Sequence, residues 1–174
     1  MKTLIIYTSQ TGFTKRYAEW IAEKSQADIF DIKEAQKKDM SFFSEYDALI
    51  YAGWFMAGKV VKANWFIEKA INLKDKKLAI VAVGASPNES SEVTVAMNNL
   101  LTTEQSQYIK AFYCQGGLDY DKMKVPSKLA LKMFVGALKK SKDPKQREQG
   151  EFIDHSYDIS DIKFIEPIIN FLKE

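Results

Sequence analysis

The sequence predicts one α/β domain in which a mostly parallel, five-stranded sheet carries helices on both faces. Continuously apolar segments of strand length alternate along the 174 residues with segments whose apolar positions recur at helical spacing. Strands that are apolar throughout are typical of parallel sheets with two buried faces. Right-handed crossovers then favour a doubly wound sheet of strand order 2-1-3-4-5, with a ligand crevice beyond the carboxyl ends of the strands.

The first half of the chain follows this alternation. Residues 3–8 (TLIIYT) are continuously apolar and end in turn-type residues, which predicts the first buried strand. Residues 14–24 place apolar side chains at helical spacing, and this pattern predicts the first helix. Residues 27–33 alternate in polarity and are interpreted as an edge strand. Residues 47–54 repeat the continuous apolar pattern, and a helix is predicted over 60–71.

The second half continues in the same order. Residues 76–86 and 107–117 are predicted strands, both running into glycine, with a helix over 90–101 between them. The last segment, 159–174, is predicted to be helical, with Ser160 as its N-cap. The members of its expected apolar face are Ile162, Ile165, Ile169 and Leu172. Pro167 implies either a kink or a helix that is regular only in its second half.

Glycine-bearing loops follow four of the predicted strands, so they are expected to gather at one edge of the sheet. Their sequences are TSQTGFT, AGWFMAG, VGASPNES and CQGGLDY. The first loop, defined here as residues 8–14, combines hydroxyl and amide donors with one glycine. Because the start of a helix also exposes unpaired N–H groups and a partial positive charge, this combination favours a phosphate site. The alternative is plain helix capping, for which Ser and Thr are equally suited.

Composition narrows the function classes. The formal net charge of +2 calls for neither nucleic acid nor a membrane as partner. Cys114 and His155 are the only residues of their types, so we expect no disulfide and no metal centre. Asp119 and Asp121 alone are too few for a metal site. We expect no signal peptide and no membrane span, and therefore a cytoplasmic protein.

The stretch YTSQTGFTKRYAEWIAE resembles the FMN phosphate-binding signature of flavodoxins, in which Ser/Thr-x-Thr-Gly-x-Thr follows the first strand. The resemblance covers nearly the whole chain. The ending GGLDYDKM, a basic helical insert at about 121–150, and ISDIKFIEPIINFL are most similar to the group that includes menaquinone-dependent protoporphyrinogen oxidase.

The resemblance implies FMN as cofactor and four groups of binding residues. The second ring-flanking loop of flavodoxins often carries a tyrosine, which is missing here; either Tyr120 substitutes for it or that face of the ring is open to a flat partner. Trp54 or Phe55 would stack on the other face, unless both simply cap the core. The implied residues are Thr8, Ser9, Gln10, Thr11, Gly12, Phe13 and Thr14 at the phosphate; Gly53, Trp54, Phe55 and Met56 at one ring face; Gly84, Ala85 and Ser86 at the other side and edge; and Gly116, Gly117 and Tyr120.

Three functions follow as hypotheses: an FMN-dependent oxidoreductase exchanging electrons with a quinone or porphyrinogen, a one-domain electron carrier, and a flavin-free binding module. For the two redox functions, the partner would be a redox protein or a small planar electron donor or acceptor. The sequence pI near 8.4 argues against a shuttle that docks on basic partners. In the insert, lysines surround apolar residues at helical spacing, which favours contact with an anionic membrane or an acidic partner, or packing on the domain. No residue is identified as an acid–base catalyst.

Overall fold

The computed structural model describes residues 1–56 and 58–174. Within these ranges the chain forms one large sheet and a separate two-stranded pair. In chain order the strands are β1 (Thr3–Tyr7), β2 (Asp28–Asp31), β3 (Ala48–Met56), β4 (Lys59–Val60), β5 (Lys77–Gly84), β6 (Ile109–Gln115), β7 (Gly117–Leu118) and β8 (Tyr157–Asp158).

Helices connect the parallel strands and cover both faces of the large sheet. Short 3-10 turns at Gln105–Gln107 and Ile162–Ile165 supplement them. The α-helices are α1 (Phe13–Ser25), α2 (Ile32–Ala35), α3 (Met40–Ser44), α4 (Ala63–Ala70), α5 (Ser91–Asn98), α6 (Val125–Lys139), α7 (Pro144–Phe152) and α8 (Glu166–Lys173).

The strand order of the large sheet confirms the predicted fold. Its parallel strands lie in the order β2-β1-β3-β5-β6, and the short β4 pairs antiparallel with the end of β3. Counted without β4, this is the order 2-1-3-4-5. The register places Ile5 of β1 between Ile29 of β2 and Ile50 of β3. The order reverses at β1 and β3, so the expected crevice lies at the carboxyl ends of these two strands.

Burial on both sides of the sheet explains why its central strands are continuously apolar. Successive side chains point to opposite faces. Ile6 packs with Phe66 in one core layer, whereas Ile5 packs with Tyr17 and Ile168 in the other. All five side chains are at most 2% exposed. Each aliphatic side chain buried in this way stabilises the fold by about 1.5–3 kcal/mol.

The C-terminal segment differs from its prediction at the start of the helix. Asp161, not Ser160, supplies the cap, and its carboxylate accepts a hydrogen bond of 2.9 Å from the Lys163 amide. A 3-10 turn comes first, and Pro167 lies in the first turn of α8, where a missing N–H group is tolerated. Ile162, the first residue of the 3-10 turn, is 44% exposed, so the apolar face does not include it, whereas Ile165 at the end of that turn is buried.

The predicted basic insert contains two helices, α6 and α7, which pack against each other. The chain leaves the sheet region after β7 and returns to it at β8. These two strands pair antiparallel, with Gly117 opposite Asp158 and Leu118 opposite Tyr157. The two ends of the insert are therefore hydrogen-bonded neighbours. In the part of the chain that the structure describes, every helix is too short or too polar to cross a bilayer.

Candidate functional site

A cleft of about 150 Å³ opens at the carboxyl ends of β1, β3 and β5. This is the edge at which the sequence predicted the glycine-bearing loops to gather. The predicted residues that line the cleft are Gln10, Thr11, Phe13, Thr14, Trp54, Phe55, Met56, Gly84, Ala85 and Gly117. The structure thus brings together residues from all four loops.

The first loop presents the start of α1 without a side-chain cap. Gly12 is the N-cap residue, with φ 104° and ψ −22°, and it has no side chain that could accept a hydrogen bond from the first-turn amides. Ser9 instead accepts a 3.1 Å hydrogen bond from the Gly12 amide, ahead of the helix. Thr14, in the first turn, is buried and lines the cleft. The capping alternative for this loop therefore loses its main support, and the first-turn amides are available to an anion.

Two cations close to the first loop, Arg16 and Lys122, are paired with carboxylates. Arg16, one turn into α1, donates hydrogen bonds of 2.6 Å to Asp158 and 2.7 Å to Ser160. Partial burial opposes ionisation of Asp158, but the hydrogen bonds from Arg16 and Ser160 outweigh it and lower the pKa of that carboxyl. On the insert side, Lys122 forms a 2.8 Å ion pair with Asp119. Residues 8–14 contain no basic side chain, so the partial positive charge of the loop itself comes from backbone dipoles.

The second loop is shorter than predicted, because β3 extends through Met56 and turns back into β4. Ala57 of the predicted AGWFMAG loop lies outside the described residues. Phe55 packs on one core layer and meets the ring of Tyr113 edge-on, with centroids 6.3 Å apart. Trp54 is half-buried and lines the cleft. Phe55 therefore contacts both the core and the cleft. The alternative in which Trp54 and Phe55 cap the core is thus met by Phe55 only in part.

Gly53 has a structural role beneath this loop. A Cβ atom at Gly53 would lie 2.5 Å from Cγ1 of Val60 on the returning strand. The tight β3–β4 hairpin therefore requires glycine here, and Gly53 does not itself line the cleft. Thr8 and Ser9 do not line the cleft either, and the Thr8 amide donates a 3.0 Å hydrogen bond to the carbonyl oxygen of Ala52. Their part in the site is to hold the loop in position.

Two tyrosine hydroxyls hold the third loop. Tyr113 donates a 2.7 Å hydrogen bond to the Ser86 carbonyl, and Tyr157 donates a 2.8 Å bond to the Ala85 carbonyl. Burial raises the pKa of both hydroxyls, so both stay protonated donors. The Tyr113 ring fills the space that a side chain at Gly84 would occupy. Gly84 and Ala85 line the cleft, whereas Ser86 faces a separate surface hollow.

The fourth loop contributes less than expected. The Gly116 amide donates a 2.6 Å hydrogen bond to the Gly84 carbonyl, so Gly116 supports the third loop from behind. Gly117 lines the cleft, and a Cβ atom there would collide with the Tyr157 carbonyl. Tyr120 is 9% exposed and donates a 2.7 Å hydrogen bond to the Ile153 carbonyl. It packs inside the insert, away from the cleft, and so is not placed to flank a ring there.

The insert supplies cleft residues that the sequence analysis did not identify. Ser127 and Leu131 of α6, with Met123 just before it, line the cleft. Gln10 joins the first loop to this helix: its amide nitrogen donates a 3.1 Å bond to Ser127, and its oxygen accepts a 3.3 Å bond from the Lys124 amide. Helical spacing predicted the helix, but no local signal indicates which of its faces meets a loop more than a hundred residues earlier. Val83 and Leu118 complete the wall.

Neither Cys114 nor His155 belongs to the cleft lining. Cys114 is fully buried in β6, and burial raises the pKa of its thiol to about 12. It therefore serves as a small apolar core residue. His155 lies on the far side of the insert, where its ring centroid is 6.5 Å from that of Phe152.

The class of protein follows from the sheet order, the cleft at the switch point and an uncapped α1. Comparison with known families agrees: the flavodoxin domain family matches residues 4–145. The chain belongs to this flavodoxin domain family. The match does not distinguish the protoporphyrinogen oxidase group, so that finer resemblance stays a prediction. A comparison with curated proteins finds no significant match.

Solved structures are similar to this chain at low sequence identity. The Trp repressor binding protein from Bacillus subtilis is 14% identical, with 66% of this chain and 85% of that chain covered and a TM-score of 0.50. A flavodoxin, WrbA-like protein from Agrobacterium tumefaciens is 16% identical, covering 87% and 94% of the two chains with a TM-score of 0.49. A flavoprotein in complex with FMN from Lactobacillus acidophilus NCFM is 16% identical, covering 66% and 91% with a TM-score of 0.41.

Proposed function

We propose that this chain binds FMN in the cleft and acts as an oxidoreductase that exchanges electrons with a quinone- or porphyrinogen-type partner. The observation that carries the proposal is the start of α1. Its first-turn amides open at a glycine N-cap, with no cap side chain to satisfy them, in a chain of the flavodoxin domain family. A phosphate is the ligand that such an arrangement favours.

The residues present fit the parts of FMN. Amides of the first loop and the hydroxyls of Thr11 and Thr14 would hold the phosphate. Trp54 offers an aromatic surface to the ring system, and the backbone of Gly84 and Ala85 offers polar groups at its edge. Bound FMN supplies reversible transfer of electrons and protons, while the protein contributes binding, orientation and electrostatics.

The size of the cleft defines one condition for binding. Its volume of about 150 Å³ is below the roughly 300–1,000 Å³ of typical ligand pockets. Met123, Ser127 and Leu131 from the insert take up part of the space at the carboxyl ends of the strands. We therefore expect FMN binding to displace from the cleft the side chains of α6 and of Met123, which precedes this helix.

Titration with FMN and riboflavin tests the phosphate site directly. We expect FMN to bind more tightly than riboflavin, which lacks the phosphate, and Thr11→Glu to abolish that difference by placing a carboxylate at the loop. Thr103→Glu is the matched control, because it adds the same charge to an exposed residue before β6, at the opposite edge of the sheet. Equal affinity for the two flavins in the unmodified protein would contradict the phosphate assignment.

Turnover separates the oxidoreductase from the other functions. We expect the FMN-loaded protein to sustain electron transfer between NAD(P)H or protoporphyrinogen and a quinone. Reduction followed by transfer only to a protein partner would indicate an electron carrier instead. A colourless protein that takes up no FMN would exclude both redox functions and leave a flavin-free binding module.

A further inference from the structure

The outward face of α6 exposes a row of large apolar side chains. Val125, Leu129 and Met133 are 78%, 60% and 70% exposed. A spacing of four residues places the first three one above the other along the helix. Isolated exposed apolar residues are normal on a protein surface, but a contiguous row on one helix marks an interaction site.

The opposite face of the same helix is fixed against the domain. Val135 and Leu138 are buried, and Ser127 and Leu131 line the cleft. Gln10 bonds to Ser127 and to the backbone at the start of the helix. These contacts fix which side of α6 faces inward. A small rotation of the helix therefore cannot bury the exposed row in the core.

The segment that carries the row holds charge of a single sign, although Lys139 near its end pairs with Glu151 and Asp154 beyond it. Residues 122–142 contain seven lysines and no Asp or Glu, whereas the rest of the chain holds 18 basic and 23 acidic residues, a formal charge of −5. Lys128 and Lys132 each precede a member of the row and border it on one side. Within residues 1–56 and 58–174, no ion pair engages Lys124, Lys128, Lys132, Lys140 or Lys142.

We propose that this face of α6 docks on an anionic lipid surface. Val125, Leu129 and Met133 enter the boundary between headgroups and acyl chains, and the bordering lysines contact lipid phosphates. A second copy of the chain is a poor occupant, because two such faces would bring Lys128 and Lys132 of both copies together. A lipid surface supplies both an apolar layer and mobile negative charge along the whole row.

The proposal does not depend on FMN, since none of the lysines or apolar residues of the row is needed for the phosphate site. It does relate the two sites in space. The same helix carries the row on one face and cleft residues on the other, so the cleft lies about one helix diameter, roughly 10 Å, from the docked surface.

Co-sedimentation with vesicles tests the docking. We expect the protein to pellet with phosphatidylcholine–phosphatidylglycerol vesicles and not with phosphatidylcholine alone, and to be released as salt rises from about 0.05 to about 0.5 M. The double variants Leu129→Glu/Met133→Glu and Lys128→Glu/Lys132→Glu should each lower the vesicle partition coefficient at least ~10-fold, since each lysine near an anionic surface contributes substantially.

Matched controls use exposed residues elsewhere. Ile71→Glu/Val95→Glu replaces two apolar residues that are 54% and 61% exposed, one directly after α4 and one in α5. Lys33→Glu/Lys37→Glu makes the same change in net charge as the lysine variant of α6. Both controls should pellet like the unmodified protein. Circular dichroism establishes that every variant is folded, which the exposure of the row leads us to expect.

Three results would overturn the proposal. The first is equal pelleting with neutral and anionic vesicles, and the second is pelleting of both α6 variants at the level of the unmodified protein. The third is a failure to pellet at low salt, together with a dimer in sedimentation velocity that Leu129→Glu/Met133→Glu dissociates. That last outcome would assign the face to a second copy of the chain.

Discussion

Replacing Gly12 with alanine isolates the backbone strain that the first loop demands. Gly12 has φ 104°, and a Cβ atom built there meets no atom within 4 Å. The added methyl group therefore clashes with nothing, and its cost is conformational. A residue other than glycine pays about 1–2 kcal/mol in left-handed backbone, a factor of roughly 5–30 in an equilibrium constant.

This cost divides between stability and ligand binding in a predictable way. Where the loop of the free protein keeps its conformation, the full strain appears as a loss in the free energy of unfolding. Where the free loop relaxes, the remainder appears as a loss in FMN binding free energy, because binding restores the strained conformation. We expect the two losses together to be about 1–2 kcal/mol, with riboflavin affinity less affected than FMN affinity.

Urea unfolding and calorimetric titration measure the two losses. Gly58→Ala is the matched control, since Gly58 has φ 76° and equally open space around its Cβ position, outside the first loop. It should lose unfolding free energy of the same order, about 1–2 kcal/mol, and keep its preference for FMN over riboflavin. A Gly12→Ala protein with unchanged stability and unchanged FMN affinity would refute the reasoning about the loop.

Two further predictions concern the framework of the site. Tyr17 donates a 2.6 Å hydrogen bond to the Gln115 carbonyl and accepts a 3.1 Å bond from the Asp161 amide, so Tyr17→Phe should lower the unfolding free energy by about 1–3 kcal/mol; Tyr51→Phe, which removes one bond to Val61, should cost less, and the reverse order in urea unfolding would contradict this account. The lowered pKa of Asp158 contributes stability above the unfolded-state pKa of about 3.9. The difference in unfolding free energy between the unmodified protein and Asp158→Asn should therefore be present at pH 7 and disappear as acid protonates the folded carboxyl. An equal difference at pH 7 and in acid would count against the Arg16 pairing.

The fold was predictable because its information is local. Ile5 and Ile6 point to opposite faces of the sheet, yet both are at most 1% exposed. A continuously apolar strand sequence indicates this burial on both faces directly. The first loop was predictable for a similar reason. Its donors, its glycine and the helix that follows all lie within a few residues of one another, so their combined chemistry is visible in one short motif.

Contacts between distant segments were not predictable. Ser127 enters the cleft through its hydrogen bond to Gln10, and the sequence contains no marker for that pairing. Tyr113 and Tyr157 hold the third loop by donating to main-chain carbonyls, a role open to any well-placed hydroxyl. Tyr120 was one of two alternatives for the missing ring-flanking tyrosine, the other being an open ring face, but its hydroxyl donates to the Ile153 carbonyl within the insert.

The pairing of β7 with β8 makes the segment between them a modular appendage. Leu118 and Tyr157 lie side by side in an antiparallel ladder, so the insert begins and ends at the same point of the domain. A two-residue turn suffices to join such strands. Residues 119–156 can accordingly be trimmed, lengthened or exchanged without changing the register of any strand of the large sheet, but such a change also removes Met123, Ser127 and Leu131 from the cleft wall.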